Sequence, residues 1–343
     1  MRGDVLLQVE NVRKNFPSRS GTIHAVNGVT FDIKQGETFA LVGESGSGKT
    51  TVGRCILRLT EPTTGTIDFE GERIIDIPRE RFRRMRYKLQ AVFQEPHAAL
   101  NPRMTAKAIV EEPLLFGPAM SAAARRDRVT EVLSLVKLGP EYADKYPHQL
   151  TGSEAQRIGI ARAIATSPKL VILDEPTSLL DVSARAEIID LLAALIRQLD
   201  ISYLFITHDL TAVYSIADRV AVMYLGQLVE TARTAELFAY QRHPYSRALL
   251  SATLFPDPER RIPPFQLVGE IPSPKDLPDH CYLAGRCPLA MERCWTEIPP
   301  LEEVEDGRFA ACLRWKEVPD AIGSQQQAAE WNKLASSTGG EKR

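Results

Sequence analysis

Short runs of apolar residues predict β-strands in the first and middle thirds of the chain. Val, Ile, Thr and Phe dominate the early runs, and glycine-bearing turns separate them. Two later runs are typical of strands that are buried on both faces of a parallel sheet. The predicted strands cover residues 5–12, 23–33, 39–42, 66–69, 170–173 and 203–206.

Apolar residues at helical spacing predict helices beside these strands. Residues 52–59 follow the strand at 39–42, and residues 188–199 lie between two strands, which gives a strand–helix–strand unit. Residues from about 79 to 165 predict a mostly helical insertion. The predicted fold class is therefore α/β.

Composition divides the chain further. Ten of the 23 prolines lie between residues 256 and 300, where helical periodicity fades. These changes predict a core domain at 1–255, a small loop-rich C-terminal extension at 256–323, rich in Pro and Cys, and a disordered tail at 324–343.

Charge and hydropathy exclude several classes of protein. The 42 Lys and Arg against 44 Asp and Glu give a formal net charge of −2, so no basic field favours nucleic acid as a partner. No apolar run reaches the 18 or more residues of a membrane-spanning helix. The N-terminus lacks the pattern of a secretory signal, so we expect a cytosolic chain.

Residues 43–50 (GESGSGKT) match the pattern G-x-x-x-x-G-K-[ST], between a predicted strand and a predicted helix. In this context backbone N–H groups point at phosphate oxygens, Lys49 contacts the β- and γ-phosphates, and Thr50 binds Mg²⁺. The alternative is a glycine-rich turn that binds nothing. The predicted nucleotide-binding residues of this loop are Gly43, Glu44, Ser45, Gly46, Ser47, Gly48, Lys49, Thr50 and Thr51.

Two carboxylates follow the predicted strand at 170–173. Asp174 is expected to serve the Mg²⁺ shell, and Glu175 to orient or deprotonate an attacking water. The alternative is an acidic pair that caps the next helix. His208 follows the next strand at the same edge of the sheet, where we expect it to bind the γ-phosphate, although a lone histidine is usually structural.

The order and spacing of these motifs resemble ATP-binding cassette (ABC) ATPases. The resemblance implies a P-loop NTPase core, with a mixed sheet, an antiparallel β-subdomain and a helical subdomain, and ATP and Mg²⁺ as cofactors. It implies that Gln94 is the Q-loop glutamine, near the γ-phosphate, Mg²⁺ and the membrane partner, and that Phe16 stacks on adenine. The alternative for Gln94 is an amide on the protein surface, and the alternative for Phe16 is a phenylalanine of the core. Residues 178–181 resemble the D-loop, although Asp181 could also cap a helix.

Residues 150–154 depart from the family's usual Leu-Ser-Gly-Gly-Gln signature, which binds the γ-phosphate held by the other subunit. A carboxylate at Glu154 facing a phosphate about 5 Å away would be repelled by roughly 3 kcal/mol at an effective dielectric of 20. We therefore expect an asymmetric heterodimer in which the site containing Lys49 does most of the hydrolysis. The alternative is that Ser153 and Glu154 face away. The predicted trans signature residues are Thr151, Gly152, Ser153 and Glu154.

Residues 92–104, 243–250 and 269–274 resemble oligopeptide/dipeptide/nickel-type importer ATPases, and residues 53–62 resemble the second of their two ATPases. The resemblance implies four partners: a second ABC ATPase subunit, two transmembrane permease subunits and an extracytoplasmic solute-binding protein. It places the chain peripherally at the cytoplasmic face of the inner membrane. A nucleotide-binding regulatory subunit with little hydrolysis and a soluble ABC ATPase outside transport remain alternatives.

Four of the five cysteines lie together near the C-terminus. Cys281, Cys287, Cys294 and Cys312 follow the pattern C-x5-C-x6-C-x17-C. In a reducing compartment such a cluster favours metal ligands over disulfides, but the close C-x₂₋₄-C pairs of zinc sites are absent. Relatives in this branch carry a [4Fe–4S] cluster on a similar pattern, so the resemblance favours Fe–S over zinc and over free thiols. Cys55 is expected to be a packed core residue.

Overall fold

The computed structural model describes residues 4–19, 21–252, 265–275, 277–318 and 331. The predicted boundary near residue 255 lies outside these residues, and so does the predicted tail at 324–343 except for Trp331. The indole of Trp331 is fully buried and packs edge-on against Phe238, with ring centroids 4.6 Å apart. The division of the chain into core, extension and tail stays a prediction.

The strands in the described residues are β1 (Val5–Ser18), β2 (Gly21–Lys34), β3 (Thr38–Val42), β4 (Thr64–Phe69), β5 (Glu72–Arg73), β6 (Leu89–Val92), β7 (Leu170–Asp174), β8 (Ser202–Thr207), β9 (Arg219–Tyr224), β10 (Gln227–Arg233), β11 (Glu302–Glu305) and β12 (Arg308–Ala310). The α-helices are α1 (Lys49–Ile56), α2 (Arg79–Met85), α3 (Pro96–Ala99), α4 (Ala106–Glu111), α5 (Ala122–Leu135), α6 (Gly152–Ile164), α7 (Val182–Leu199), α8 (Leu210–Ile216), α9 (Thr234–Ala239) and α10 (Pro244–Ser251). All six predicted strands and both predicted helices are confirmed, with the ends of several elements shifted. None of these helices is long and apolar enough to span a bilayer.

The chain forms two compact units. The first comprises Met1–Leu7, Ile33–Thr38 and Asp68–Thr207. In it β7 lies between β6 and β8, and both pairings are parallel, with Leu89 opposite Leu170 and Leu170 opposite Ser202. The carboxyl ends of these strands meet at one edge, as parallel pairing requires. Helices α2 to α7 also belong to this unit.

The second unit comprises Gln8–Asp32, Phe39–Ile67 and His208–Arg343. Here β3 pairs in parallel with β9, while β9, β10, β12 and β11 pair antiparallel in that order. Most of β1, β2 and β4 also lies in this unit, in a sheet where β1 is the middle strand of the three. Strands of the C-terminal region thereby extend the sheet that holds β3, the strand leading into the phosphate loop.

A fully buried ion pair joins β10 to β12. Nη2 of Arg308 lies 2.7 Å from Oε1 of Glu230, and the two side chains are 1% and 0% exposed. The Glu230 carboxylate also accepts the backbone N–H of Arg242 at 2.8 Å and that of His243 at 3.0 Å. Burial raises the pKa of Glu230, and the guanidinium of Arg308 opposes that rise. Removing Arg308 would leave the Glu230 carboxylate in the interior without the guanidinium that pairs with it.

We predict that Arg308→Met lowers the free energy of unfolding by about 3–5 kcal/mol, because Glu230 would keep a buried charge with its two backbone N–H donors but without the opposite charge of Arg308. Chemical denaturation of the purified chain measures this. The matched control is Arg293→Met, since Arg293 is 67% exposed in its pair with Glu297 and such pairs contribute about 0–1 kcal/mol. Equal effects of the two substitutions would contradict the role given to the buried pair.

Candidate functional site

The predicted phosphate loop folds its lysine back over its own backbone. Lys49 is 5% exposed and begins α1. Its Nζ donates to the carbonyl oxygen of Gly43 at 2.8 Å and to that of Glu44 at 2.9 Å, and it lies 3.3 Å from Oγ of Ser47. The ammonium therefore lies at the amino end of a helix, where both the charge and the helix dipole favour an anion such as phosphate.

Two glycines of this loop approach other backbone segments too closely for any side chain. A Cβ at Gly43 would lie 2.2 Å from the carbonyl oxygen of Met223 in β9, and one at Gly48 would lie 2.2 Å from that of Ala25 in β2. Both glycines have positive φ, 151° and 104°, which other residues rarely adopt. The glycine pattern thus reflects packing of the loop as well as access for phosphate.

In the first unit, Gln94 and Glu175 come together at the carboxyl edge of the parallel strands. Gln94 lies two residues after β6, and Glu175 directly follows β7. Nε2 of Gln94 donates to Oε2 of Glu175 at 3.2 Å. Asp174 ends β7 and is partly buried. Gln94 is exposed, and its role as the Q-loop glutamine stays a prediction.

Glu175 has a strained backbone. Its φ is +48°, in the left-handed region that residues with a side chain seldom adopt. Its N–H donates to the carbonyl oxygen of Ile206 at 2.8 Å, and its own carbonyl accepts the hydroxyl of Ser178 at 3.1 Å. Strain of this kind costs of order 1–3 kcal/mol and is typical of functional sites.

The remaining predicted residues occupy simpler positions. In the second unit, His208 is exposed and follows β8 along the chain, and Phe16 is half-buried on β1, with Nζ of Lys14 4.9 Å from its ring centroid. Phe16 is therefore not a core residue. In the first unit, Asp181 caps α7 by accepting the N–H of Ala184 at 2.9 Å, which confirms the capping alternative for its side chain.

The expectation that Glu154 faces a phosphate needs correction, because its carboxylate is already occupied. Oε2 of Glu154 accepts the backbone N–H of Thr151 at 2.7 Å, and Oε1 accepts the hydroxyl of Tyr142 at 2.8 Å. Oγ1 of Thr151 in turn accepts the N–H of Glu154 at 3.3 Å, which completes a capping box at the start of α6. The bond from the Thr151 backbone holds the pKa of Glu154 below its usual value, against the smaller effect of burial. The carboxylate therefore stabilises its own helix.

The pattern Thr-x-x-Glu before an apolar helix is a sequence signal for a capping box, and sequence reasoning missed it at Thr151 and Glu154. The partner Tyr142 lies 12 residues away and carries no comparable signal.

The four C-terminal cysteines line one small cavity of the second unit, together with His243 and Pro244; we call it the cysteine cavity. Burial raises the pKa of three of its thiols. The pKa of Cys281 lies above its usual value, that of Cys287 is raised to about 11 and that of Cys312 to about 12. Alone, these thiols stay protonated at neutral pH. Among the described residues, no group of three or more His, Cys, Asp or Glu is placed to hold a single metal ion.

Cys55 is fully buried on α1, and burial raises the pKa of its thiol to about 11. These properties confirm it as a packed core residue.

Comparisons with known proteins agree with this geometry. The model of the ABC transporter family matches residues 26–178, and that of the oligopeptide/dipeptide transporter C-terminal region matches residues 229–294. A putative peptide import ATP-binding protein of Brucella ovis is 45% identical over 90% of this chain and 98% of its own length. The oligopeptide transport ATP-binding protein AppF of Bacillus subtilis is 42% identical, over 90% and 97% respectively.

Among solved structures, the dimeric ATP-binding cassette MJ0796 bound to ADP and phosphate is 31% identical, with a TM-score of 0.62 over 67% of this chain and 99% of that one. Fold and motifs together define an ABC-type ATPase coupled to transport, with a mixed α/β fold and an antiparallel subdomain. Within that class, the chain belongs to the family of ATP-binding subunits of oligopeptide/dipeptide ABC importers.

We predict that Glu154→Ala destabilises the chain by about 1 kcal/mol, since it removes one half of a capping box, whereas Glu154→Gln keeps most of that stability. Because the folded pKa of Glu154 is lowered, its contribution is complete above the unfolded value of roughly 4.3 and is lost as the pH falls through the folded pKa. Unfolding of both variants at pH 7 and below pH 4 measures this. A pH-independent difference between wild type and Glu154→Ala would contradict it.

Proposed function

We propose that this chain is the ATP-hydrolysing subunit of a membrane importer for peptides or related small solutes. The observation that carries the proposal is the phosphate loop, with Lys49 at the start of α1, in a chain that also matches the oligopeptide/dipeptide C-terminal region. The names of its relatives refer to peptide import and oligopeptide transport. The chain lies peripherally at the cytoplasmic face of the membrane, with two permease subunits and an extracytoplasmic solute-binding protein.

The residues divide the chemistry of ATP hydrolysis. Backbone N–H groups of residues 43–51 and the ammonium of Lys49 bind the phosphates, and Phe16 stacks on adenine. Thr50, Gln94 and Asp174 would hold Mg²⁺, which would neutralise charge that develops on the phosphates. Glu175 accepts a proton from the attacking water or orients it, and His208 binds the γ-phosphate.

The second ATPase of the proposed heterodimer supplies the signature that closes the site containing Lys49, and residues 151–154 of this chain close the site of that partner. Ser153 still stands where the family has glycine, and residues 53–62 resemble the second ATPase of such importers. The repulsion argument no longer supports asymmetry, because Glu154 is held by Thr151 and Tyr142. The asymmetric heterodimer therefore rests on Ser153 and on the resemblance.

We propose that the cysteine cavity holds an iron–sulfur cluster, as the resemblance to importer ATPases of this branch implies. All four cysteines line this cavity, and the backbone N–H of Arg314 donates to Sγ of Cys312 at 3.4 Å. Hydrogen bonds to the ligating sulfurs are among the features that set the potential of Fe–S clusters. A cluster bound there would supply the positive charge that turns these high-pKa thiols into thiolates and would cross-link the C-terminal region.

We predict that Glu175→Gln lowers the ATPase activity of the transporter complex, stimulated by the solute-binding protein, roughly a hundredfold or more, because it removes the proposed base. The assay uses the complex purified from membranes through a tag on this chain and reconstituted with the solute-binding protein. The matched control is Glu131→Gln, an exposed carboxylate on α5. Normal activity of Glu175→Gln would contradict the role of this site and favour a regulatory subunit, and a preparation without permeases would favour an ABC ATPase outside transport.

The same assay tests asymmetry. We expect the equivalent Glu→Gln change in the partner ATPase to cost less activity than Glu175→Gln. Equal losses would contradict the asymmetric model, and full turnover by this chain alone would contradict the heterodimer.

We predict that protein purified without oxygen contains about four iron and four labile sulfide atoms per chain, as a [4Fe–4S] cluster with four cysteine ligands requires. Iron and sulfide assays with the visible spectrum measure this. Cys294→Ser should lower both contents, while Cys55→Ser serves as the control outside the cavity. Near-zero iron and sulfide in the wild-type chain would overturn the Fe–S proposal.

A further inference from the structure

The segment His243–Pro244–Tyr245 connects the cysteine cavity to the phosphate loop within the second unit. His243 and Pro244 line the cavity, and the next residue, Tyr245, reaches the loop. The hydroxyl of Tyr245 accepts the backbone N–H of Glu44 at 3.0 Å. Three consecutive residues thus contact both sites.

The end of this segment at the phosphate loop is buried and closely packed. Tyr245 is 1% exposed, and its ring packs on that of Tyr224, with centroids 4.6 Å apart. Burial raises the pKa of Tyr245, so its hydroxyl stays protonated. The N–H of Glu44 lies in the same loop turn whose carbonyl oxygens hold Lys49. Loss of the tyrosine oxygen would free this turn at the point where it fixes the lysine.

The end of the segment at the cavity is equally fixed. Nδ1 of His243 accepts the N–H of Tyr245 at 3.1 Å, and its backbone N–H donates to the buried carboxylate of Glu230 at 3.0 Å. Burial lowers the pKa of His243 to about 3, against a hydrogen bond to the carbonyl of Ala311, so the imidazole is neutral and can accept at Nδ1. Ala311 directly precedes Cys312, one of the four cysteines.

A second contact also leads from a cysteine-bearing segment toward the phosphate loop. Nη1 of Arg286 donates to the hydroxyl of Tyr224 at 3.3 Å, and Arg286 directly precedes Cys287. Two residues after Tyr224, in the turn between β9 and β10, the N–H of Gly226 donates to the carbonyl oxygen of Ser47 at 2.9 Å. The two tyrosines therefore stand between cysteine-bearing segments and both ends of the phosphate loop.

We propose that Tyr245 is a positioning residue of the phosphate loop. Through Tyr245, structural changes at the cysteine cavity alter the affinity of the phosphate loop for nucleotide. The hydroxyl fixes the turn at Glu44, and any shift of the cavity wall at His243 and Pro244 moves the tyrosine with it. The role of the loop in binding nucleotide rests on the proposed function, whereas the connection between the two sites rests on the contacts above.

The first test compares Tyr245→Phe with Tyr203→Phe. Both remove one hydroxyl from a buried tyrosine, but that of Tyr203 has no hydrogen-bond partner. Titration of the full chain with a fluorescent ADP should show affinity roughly five- to tenfold weaker for Tyr245→Phe and unchanged for Tyr203→Phe. Hydrogen exchange should accelerate at Glu44 in the first variant alone. Wild-type affinity and exchange in Tyr245→Phe would overturn the positioning role.

The second test is a double-mutant cycle on the same affinity, in which Cys312→Ser is combined with Tyr245→Phe. We expect Cys312→Ser to weaken binding in the wild-type background and to have no further effect once Tyr245 is Phe. Additive effects, or no effect of the cysteine change, would overturn the connection. If circular dichroism shows that Cys312→Ser does not fold, Cys287→Ser replaces it.

Iron content is measured on the same samples. Iron-free protein that still shows non-additive effects would overturn the Fe–S proposal and leave this inference standing. If the wild-type chain binds no nucleotide, the proposed function is overturned instead.

Discussion

The second unit depends on one buried carboxylate. Glu230 is fully buried on β10 and holds three groups at once: the guanidinium of Arg308 on β12 and the backbone N–H groups of Arg242 and His243. The first contact fixes the C-terminal strands to the sheet, and the last orients the segment that contains Tyr245. An isolated buried carboxylate is strongly disfavoured, so all of these partners must be present together. The cysteine cavity and the phosphate loop are therefore parts of one packed structure.

In the first unit the corresponding constraint is parallel strand pairing. Because β6, β7 and β8 run in the same direction, their carboxyl ends meet at one edge, and residues distant in sequence become neighbours there. Gln94 and Glu175 are 81 residues apart and form a hydrogen bond at 3.2 Å. The left-handed backbone of Glu175 follows from the same edge, since its N–H pairs with Ile206 at the end of the neighbouring strand. Strand direction thus places the amide beside the carboxylate, and pairing with β8 sustains the strain.

The sequence was most informative where a motif and its local element depend on each other. The glycines at 43 and 48 and the lysine at 49 require a strand before them and a helix after them, and β3 and α1 are there. The buried runs that became β7 and β8 were predictable for a similar reason, because strands covered on both faces are apolar throughout. Tyr245 could not be predicted in this way. Its partner Glu44 lies 201 residues away, and an isolated tyrosine carries no periodic or spacing signal. Contacts between distant polar groups depend on packing that only the fold determines.

The altered signature shows how a departure from a family pattern can be misjudged when charge alone is considered. Repulsion from a phosphate depends on where the carboxylate lies, and both oxygens of Glu154 are hydrogen-bonded to Thr151 and Tyr142. A capping box satisfies backbone donors at the start of α6, where negative charge is also favoured by the helix dipole. The amino end of α6 therefore stabilises the Glu154 carboxylate, and the backbone amides of that same end would face a bound phosphate. Ser153 has no such internal explanation in the structure, so it, and not Glu154, is the residue on which any difference between two signature sites would depend.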